Sequence, residues 1–200
     1  MTTFTQTLAA FALAAAAAGA HANLVTNGSF EQGAIGGSFA GWTTTLGDPA
    51  TFVDYGPTGT QAGDSSDGLW SAYFGSTAAA GGETIAQSLA TTAGQAYVLS
   101  FDLANDNAGG DPANAFAVSV GGVTLFSASA LADQGYVHET LSFTATGAST
   151  TLSFFASNDI GYAQLDDVVV DAAPLPEPGV AALLLAGLAA IGVTRRRGAR

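Results

Sequence analysis

Between Asn23 and Ala173 the chain carries fifteen carboxylates and not one lysine or arginine. An acid drawn into the interior of such a segment has no cationic side chain to meet, and an uncompensated buried charge is costly. It must accept backbone N–H groups, take up a proton, or bind a metal ion. With oxygen donors alone at hand, that ion would be a hard cation such as Ca²⁺. The formal charge of −15 also repels phosphate backbones and anionic lipid, whose recognition relies on Lys and Arg. Nucleic-acid binding is excluded on this ground.

The acidic segment is about 150 residues long, enough for one domain with a sizeable core. Cysteine is absent, so no disulfide supports it. Its apolar residues alternate. Tyr97, Leu99, Phe101 and Leu103 share one face of an extended stretch, with Val98, Ser100 and Asp102 opposite. Phe116, Val118 and Val120 run into Gly121-Gly122, a favoured two-residue hairpin turn, and residues 123–126 return. Val137, Glu139, Leu141 and Phe143 alternate next, then Leu152, Phe154 and Ala156, and finally 164–171 with Val168, Val169 and Val170. Weaker strand candidates are 39–45, 51–55, 69–74 and 84–89. Nine or ten short strands joined by Gly, Asn and Asp turns predict an all-β, antiparallel β-sandwich.

The two ends are of another character. Residues 1–22 hold an apolar run at 8–18 and then Ala20-His21-Ala22, a small-x-small cleavage site, as in a secretory signal peptide whose helix is removed to leave Asn23 first. Residues 174–200 hold Pro176-Glu177-Pro178, a fifteen-residue apolar run at 179–193, and the cluster Arg195-Arg196-Arg197. As a helix the run is about 22 Å long against a hydrocarbon core of roughly 30 Å, a short transmembrane helix with positive charge at its cytoplasmic end. The expected organisation is therefore signal peptide 1–22, β-sandwich 23–173 and sorting tail 174–200.

That tail resembles the PEP-CTERM sorting signal of exported proteins in Gram-negative bacteria. The resemblance implies processing by the membrane protease exosortase, which would read Pro176, Glu177 and Pro178. It further implies a precursor held transiently in the inner membrane by 179–193, with the mature protein at the cell surface or in the extracellular matrix. The middle resembles galactose-binding-like jelly rolls, the fold of many carbohydrate-binding modules. The resemblance rests on Asn23-Leu24-Val25-Thr26-Asn27-Gly28-Ser29-Phe30-Glu31 with Gly41-Trp42, on 88–101, and on Asn158-Asp159-Ile160-Gly161-Tyr162 followed by Leu165-Asp166-Asp167-Val168. It implies a structural Ca²⁺ held by Glu31 and Asp166, and a binding protein for extracellular polysaccharide. The rival reading is a structural or adhesive matrix protein with no specific ligand.

Strand alternation places Asp166 on the face of Val168 and Val170 and turns Asp167 outward, so the two cannot act as a glycosidase carboxylate pair. The alternative for Glu31 and Asp166 is a pair of surface acids. Sugar binding needs aromatic platforms beside hydrogen-bonding groups; the candidates are Trp70, Tyr73, Asn158 and Tyr162, while Trp42 and Tyr97 belong to the core. The acid-rich loops 64–68 and 105–111 lack EF-hand spacing and read as solvated turns. With no Cys, no Lys, no nucleophile motif and one mature-chain histidine, His138, read as exposed and idle, the expectation is a non-enzymatic protein.

Overall fold

The computed structural model describes residues 23–34, 38–46, 53–55, 65–75, 81–107, 113–158 and 161–174. The signal-peptide residues Ala20 and Ala22, and the sorting residues Pro176, Glu177, Pro178, Arg195, Arg196 and Arg197, lie outside them, as does the apolar run 179–193. Among the described residues no helix is long and apolar enough to cross a membrane.

The described residues form twelve strands in order: β1 Gly33–Ala34, β2 Ser38–Phe39, β3 Thr43–Leu46, β4 Val53–Tyr55, β5 Ala72–Phe74, β6 Glu83–Ala90, β7 Ala96–Asp106, β8 Ala115–Val120, β9 Val123–Ser129, β10 Gln134–Thr144, β11 Ser149–Ser157 and β12 Tyr162–Ala172. Ten of them make two five-stranded sheets, β10-β7-β12-β5-β4 and β3-β6-β11-β8-β9, and β1 and β2 pair apart. Every pairing is antiparallel. The expected all-β sandwich is what the chain forms.

The period-two pattern of the sequence becomes the core. Tyr97, Leu99, Phe101 and Leu103 of β7 face inward, and so do Ile85 and Leu89 of β6, Phe116, Val118 and Val120 of β8, and Leu152 and Phe154 of β11. Phe101 is central. Its ring centroid lies 5.4 Å from Phe154, 6.1 Å from Phe116 and 6.2 Å from Phe126, so rings from both sheets interlock. Gly121 and Gly122 both adopt positive φ, 58° and 81°, which the tight β8–β9 turn requires and which glycine reaches without steric cost. Trp42 and Tyr97 are buried, as expected.

The opening motif closes the sandwich onto β12. Asn23 Oδ1 accepts N–H groups from Val25 and Val170, and its Nδ2 donates to the Val168 carbonyl. Val168 N–H in turn donates to the Gly28 carbonyl at 3.0 Å. The backbones approach so closely there that a Cβ on residue 28 would overlap the Val168 oxygen. Trp42 Nε1 donates to Asn27 O, while the Gln87 amide bridges Thr26 and Gly41. Phe30 then inserts between Phe39 and Trp42, at 5.0 and 5.7 Å.

Candidate functional site

The outward face of the β10-β7-β12-β5-β4 sheet brings together Tyr73, Tyr162 and Asp166 of the candidates, and not Trp70 or Asn158. On β12, Ala163 and Leu165 point into the core, so Tyr162, Gln164 and Asp166 point out. After Asp166 the register against β7 shifts by one: Asp166 opposes Asp102, but Val169 opposes Ser100. Asp167, at φ 46°, is the extra residue of this β-bulge. The bulge resets the alternation so that Val168 and Val170 return to the core.

This corrects the expectation that Asp166 shares a face with Val168 and Val170. Asp166 lies instead on the outer face, in a row with Asp102 of β7 and His138 of β10. Asp167 lies near the same groups, since the charges of Asp102, Asp67 and His138 all act on it. At this bulge adjacent strand residues do not diverge.

Asp166 is fully buried even so, because the 65–70 segment folds over it. Ser66 N–H, Asp67 N–H and Ser66 Oγ–H donate to its Oδ2 at 2.8, 2.9 and 3.3 Å, and Asp167 N–H donates to Oδ1 at 2.8 Å. Burial pushes its carboxyl up to about 6, against the pull of these hydrogen bonds in the other direction. Asp167 is also raised, first by burial and then by the charges of Asp102 and Asp67, with His138 opposing. Glu31 grips the far end of the same segment: the N–H groups of Leu69 and Trp70 both donate to its Oε1 at 2.7 Å. Residues 66–68 are exposed, as expected of a solvated turn, while the backbone amides of Ser66 and Asp67 are committed to Asp166.

Of the three ways to stabilise an acid in a cation-free segment, this one uses backbone amides. Each carboxylate offers oxygen donors of the kind that suits Ca²⁺. In number they need help: among the described residues no three acidic or histidine side chains converge as metal ligands, so backbone oxygens would have to complete the shell.

Tyr162 is 39% exposed and meets Tyr73 edge to face, ring centroids 5.9 Å apart. Gly75 makes room for it, since a Cβ there would fall 2.7 Å from the Tyr162 ring. Tyr73 itself is buried, standing behind Tyr162 as its support. Trp70 continues the alternation of Ala72 and Phe74, and its half-buried ring packs against the core. Beside it Leu69 is 67% exposed.

Asn158 is buried, and its amide is engaged. Nδ2 donates to Asn105 Oδ1 and Asp106 O, while Oδ1 accepts from Gly161 N–H. It ties the end of β11 to Gly161, the residue before Tyr162. Asn105, Asn107 and Asn114 all donate to the Leu131 carbonyl, so the described part of the 105–111 loop is tied into the fold. Sequence reasoning also passed over the pair formed by His138 and Asp102. His138 Nδ1 lies 2.6 Å from Asp102 Oδ1, with the imidazole well exposed. A carboxylate only accepts, so Nδ1 is the donor in this pair. The histidine is exposed, as expected, and paired across the strands; the register His138↔Asp102 was the signal that could have found the pair.

On the outer face, then, Tyr162 stands about 13 Å along the strands and about 10 Å across them from His138. The face between carries Gln164 and Asp102.

Among solved structures, the fold is similar to the enzymatically active domain of tailspike protein 4 of bacteriophage CBA120, with a TM-score of 0.56 and 14% identity. That match covers 76% of this chain and 21% of the tailspike chain, so the chain spans about a fifth of that protein. It is also similar to the module TmCBM61, solved in complex with β-1,4-galactotriose, with a TM-score of 0.51 and 14% identity over 76% of this chain and 99% of that one. A third is the CBM22-1 xylan-binding domain of Paenibacillus barcinonensis Xyn10C, with a TM-score of 0.50 and 19% identity over 78% and 97%. At these identities the likeness is one of fold. No functionally curated protein matches the sequence. Residues 23–163 match the family described as protein of unknown function DUF642, which covers most of the domain, and the chain belongs to that family.

Proposed function

We propose that this domain is a non-enzymatic binder of extracellular polysaccharide, and that the sugar lies on the outer face of the β10-β7-β12-β5-β4 sheet. The observation that carries this reading is the Tyr162–Tyr73 pair. An exposed ring braced by a second ring is a stacking platform, and it shares its face with Gln164 and the Asp102–His138 pair, which can donate to and accept from hydroxyls. Carbohydrate-binding modules of the same fold support it. With fifteen acids and no Lys or Arg in the segment, the partner is a neutral polysaccharide rather than a uronic or sulfated one, because like charges would meet without a counter-ion.

Glu31 and Asp166 are proposed to hold a structural Ca²⁺ that would fix the 65–70 segment from both ends. The termini are proposed to act as signal peptide and exosortase-processed sorting tail, delivering the domain to the cell surface or matrix. Affinity electrophoresis and calorimetry of the full chain with neutral β-glucans, galactans and xylans test the binding. Tyr162→Ala should weaken affinity at least tenfold, about 1.4 kcal/mol, with the fold retained. Full affinity in that variant, or no binding by the wild type to any neutral polysaccharide, would reject the proposal and favour the structural or adhesive reading.

A further inference from the structure

The outer face of the second sheet differs in kind from the first. Its outward positions are Thr43 and Thr45 on β3, Thr84, Ala86, Ser88 and Ala90 on β6, and Ser149, Thr151, Ser153 and Phe155 on β11. Ala115, Ala117 and Ser119 follow on β8, and Thr124, Ser127 and Ser129 on β9. Not one is charged. The acids of the described residues all lie elsewhere: in the loops, at the buried start of β6, on β4, or on β7, β10 and β12 of the other sheet. On the face itself the hydroxyls pair laterally, as in Ser88 Oγ with Ser149 Oγ at 2.8 Å and Ser119 Oγ with Thr124 Oγ1 at 3.2 Å.

We infer that this neutral face is where a second copy of the chain docks, sheet against sheet. Charge selects the occupant and the face together. Two copies of a body bearing −15 and no Lys or Arg cannot meet through the sugar-binding face, the 65–70 segment or the β10 edge without setting carboxylate against carboxylate. Through the β3-β6-β11-β8-β9 face they meet, among the described residues, with no charge at all. Small side chains let the sheets approach closely, and Phe155, half-exposed on the central strand, provides an apolar anchor.

Five strands at about 4.8 Å by six to eight residues at about 3.3 Å give roughly 500–600 Å² per copy, or about 1,000–1,200 Å² in total, the lower end of specific interfaces. A reversible dimer follows, strengthened by salt because salt screens the repulsion between the two acidic bodies. Such a dimer leaves both sugar-binding faces pointing outward in opposite directions, so that one assembly could hold two polysaccharide chains.

Sedimentation equilibrium of the full chain tests this, in wild type, Thr151→Glu and Thr151→Ala. Thr151 is exposed on the central strand, so both variants should keep the wild-type circular dichroism. The wild type should dimerise reversibly up to about 500 µM, more strongly in 500 mM than in 50 mM NaCl. Thr151→Ala should match it, and Thr151→Glu should weaken association at least tenfold, since two new charges would face each other in the contact. A wild type that stays monomeric throughout overturns the inference. So does association equally strong in Thr151→Glu, which would locate the contact elsewhere. Loss of polysaccharide binding in Thr151→Glu with a monomeric wild type would also overturn it, making this face a sugar face instead. None of these results depends on whether Tyr162 binds sugar.

Discussion

The buried carboxyl of Asp166 should make the domain less stable as pH rises, and Ca²⁺ should reverse that trend. The perturbation is pH, compared between wild type and Asp166→Asn. In the folded chain the Asp166 carboxyl is raised to about 6, from an ordinary 3.8. Folded protein therefore holds the proton more tightly than unfolded protein. The stabilisation is fully present below about pH 4 and is lost as pH climbs through about 6. Two pH units correspond to about 3 kcal/mol at most. Repulsion among the other acids tilts the same way, so the quantity to follow is the difference between wild type and Asp166→Asn, which cannot ionise. Urea unfolding read by Trp fluorescence suits this, since Trp42 is buried. In EDTA, the wild type should lose up to about 3 kcal/mol relative to Asp166→Asn between pH 4 and pH 7.5. With Ca²⁺ at a hundred times its dissociation constant, about 2.7 kcal/mol should return to the wild type at neutral pH, because the cation favours the ionised carboxylate. A difference flat with pH in EDTA would refute the account of Asp166. A slope in EDTA that Ca²⁺ leaves untouched would keep that account and reject the metal.

The remaining predictions concern the frame of the site. EDTA should lower the thermal midpoint of the full chain, and Asp166→Ala should abolish that sensitivity; an unchanged melt in EDTA rejects the Ca²⁺ proposal. Gly28→Ala should destabilise the fold by at least about 2 kcal/mol in urea, because the new methyl overlaps the Val168 carbonyl where the opening segment meets β12. Asn158→Ala should cost about 1–3 kcal/mol, by leaving the Gly161 N–H and Asn105 Oδ1 without their partner, and should weaken sugar binding by releasing Gly161, the residue before Tyr162. Phe101→Ala should cost about 3–5 kcal/mol, since its ring, on one sheet, packs against Phe116 and Phe154 of the other.

Where strands alternate without interruption, the sequence could be read directly. The inward faces of β7, β8 and β11 and the Gly121-Gly122 turn need only period two and a glycine pair. What escaped has a physical reason in each case. A β-bulge whose positive-φ residue is Asp167 rather than glycine leaves no mark in the residue pattern, so the direction of Asp166 was misjudged. Asn105, Asn107, Asn114 and Asn158 have the composition of turns, yet they are drawn in to meet the Leu131 carbonyl and one another, a pairing set by tertiary contacts. His138 and Asp102 are 36 residues apart, and only the β10–β7 register brings them opposite. Tyr73 and Tyr162 could be named as aromatic candidates, but their meeting depends on how β5 pairs with β12. The cation-free composition proved the most informative single reading. It required Asp166 to be stabilised without Lys or Arg, and the four hydrogen bonds it accepts, three from backbone amides and one from a serine hydroxyl, meet that requirement.

The central claim, that sugar lies on the outer face of the β10-β7-β12-β5-β4 sheet, is tested most directly by titrating the isotope-labelled protein with a neutral oligosaccharide and following the backbone amide resonances. The account predicts that shifts concentrate at Tyr73, Asp102, His138, Tyr162 and Gln164. Shifts confined to Thr84, Ser88, Thr151 and Ser153 on the opposite sheet, or none at saturating sugar, would contradict it.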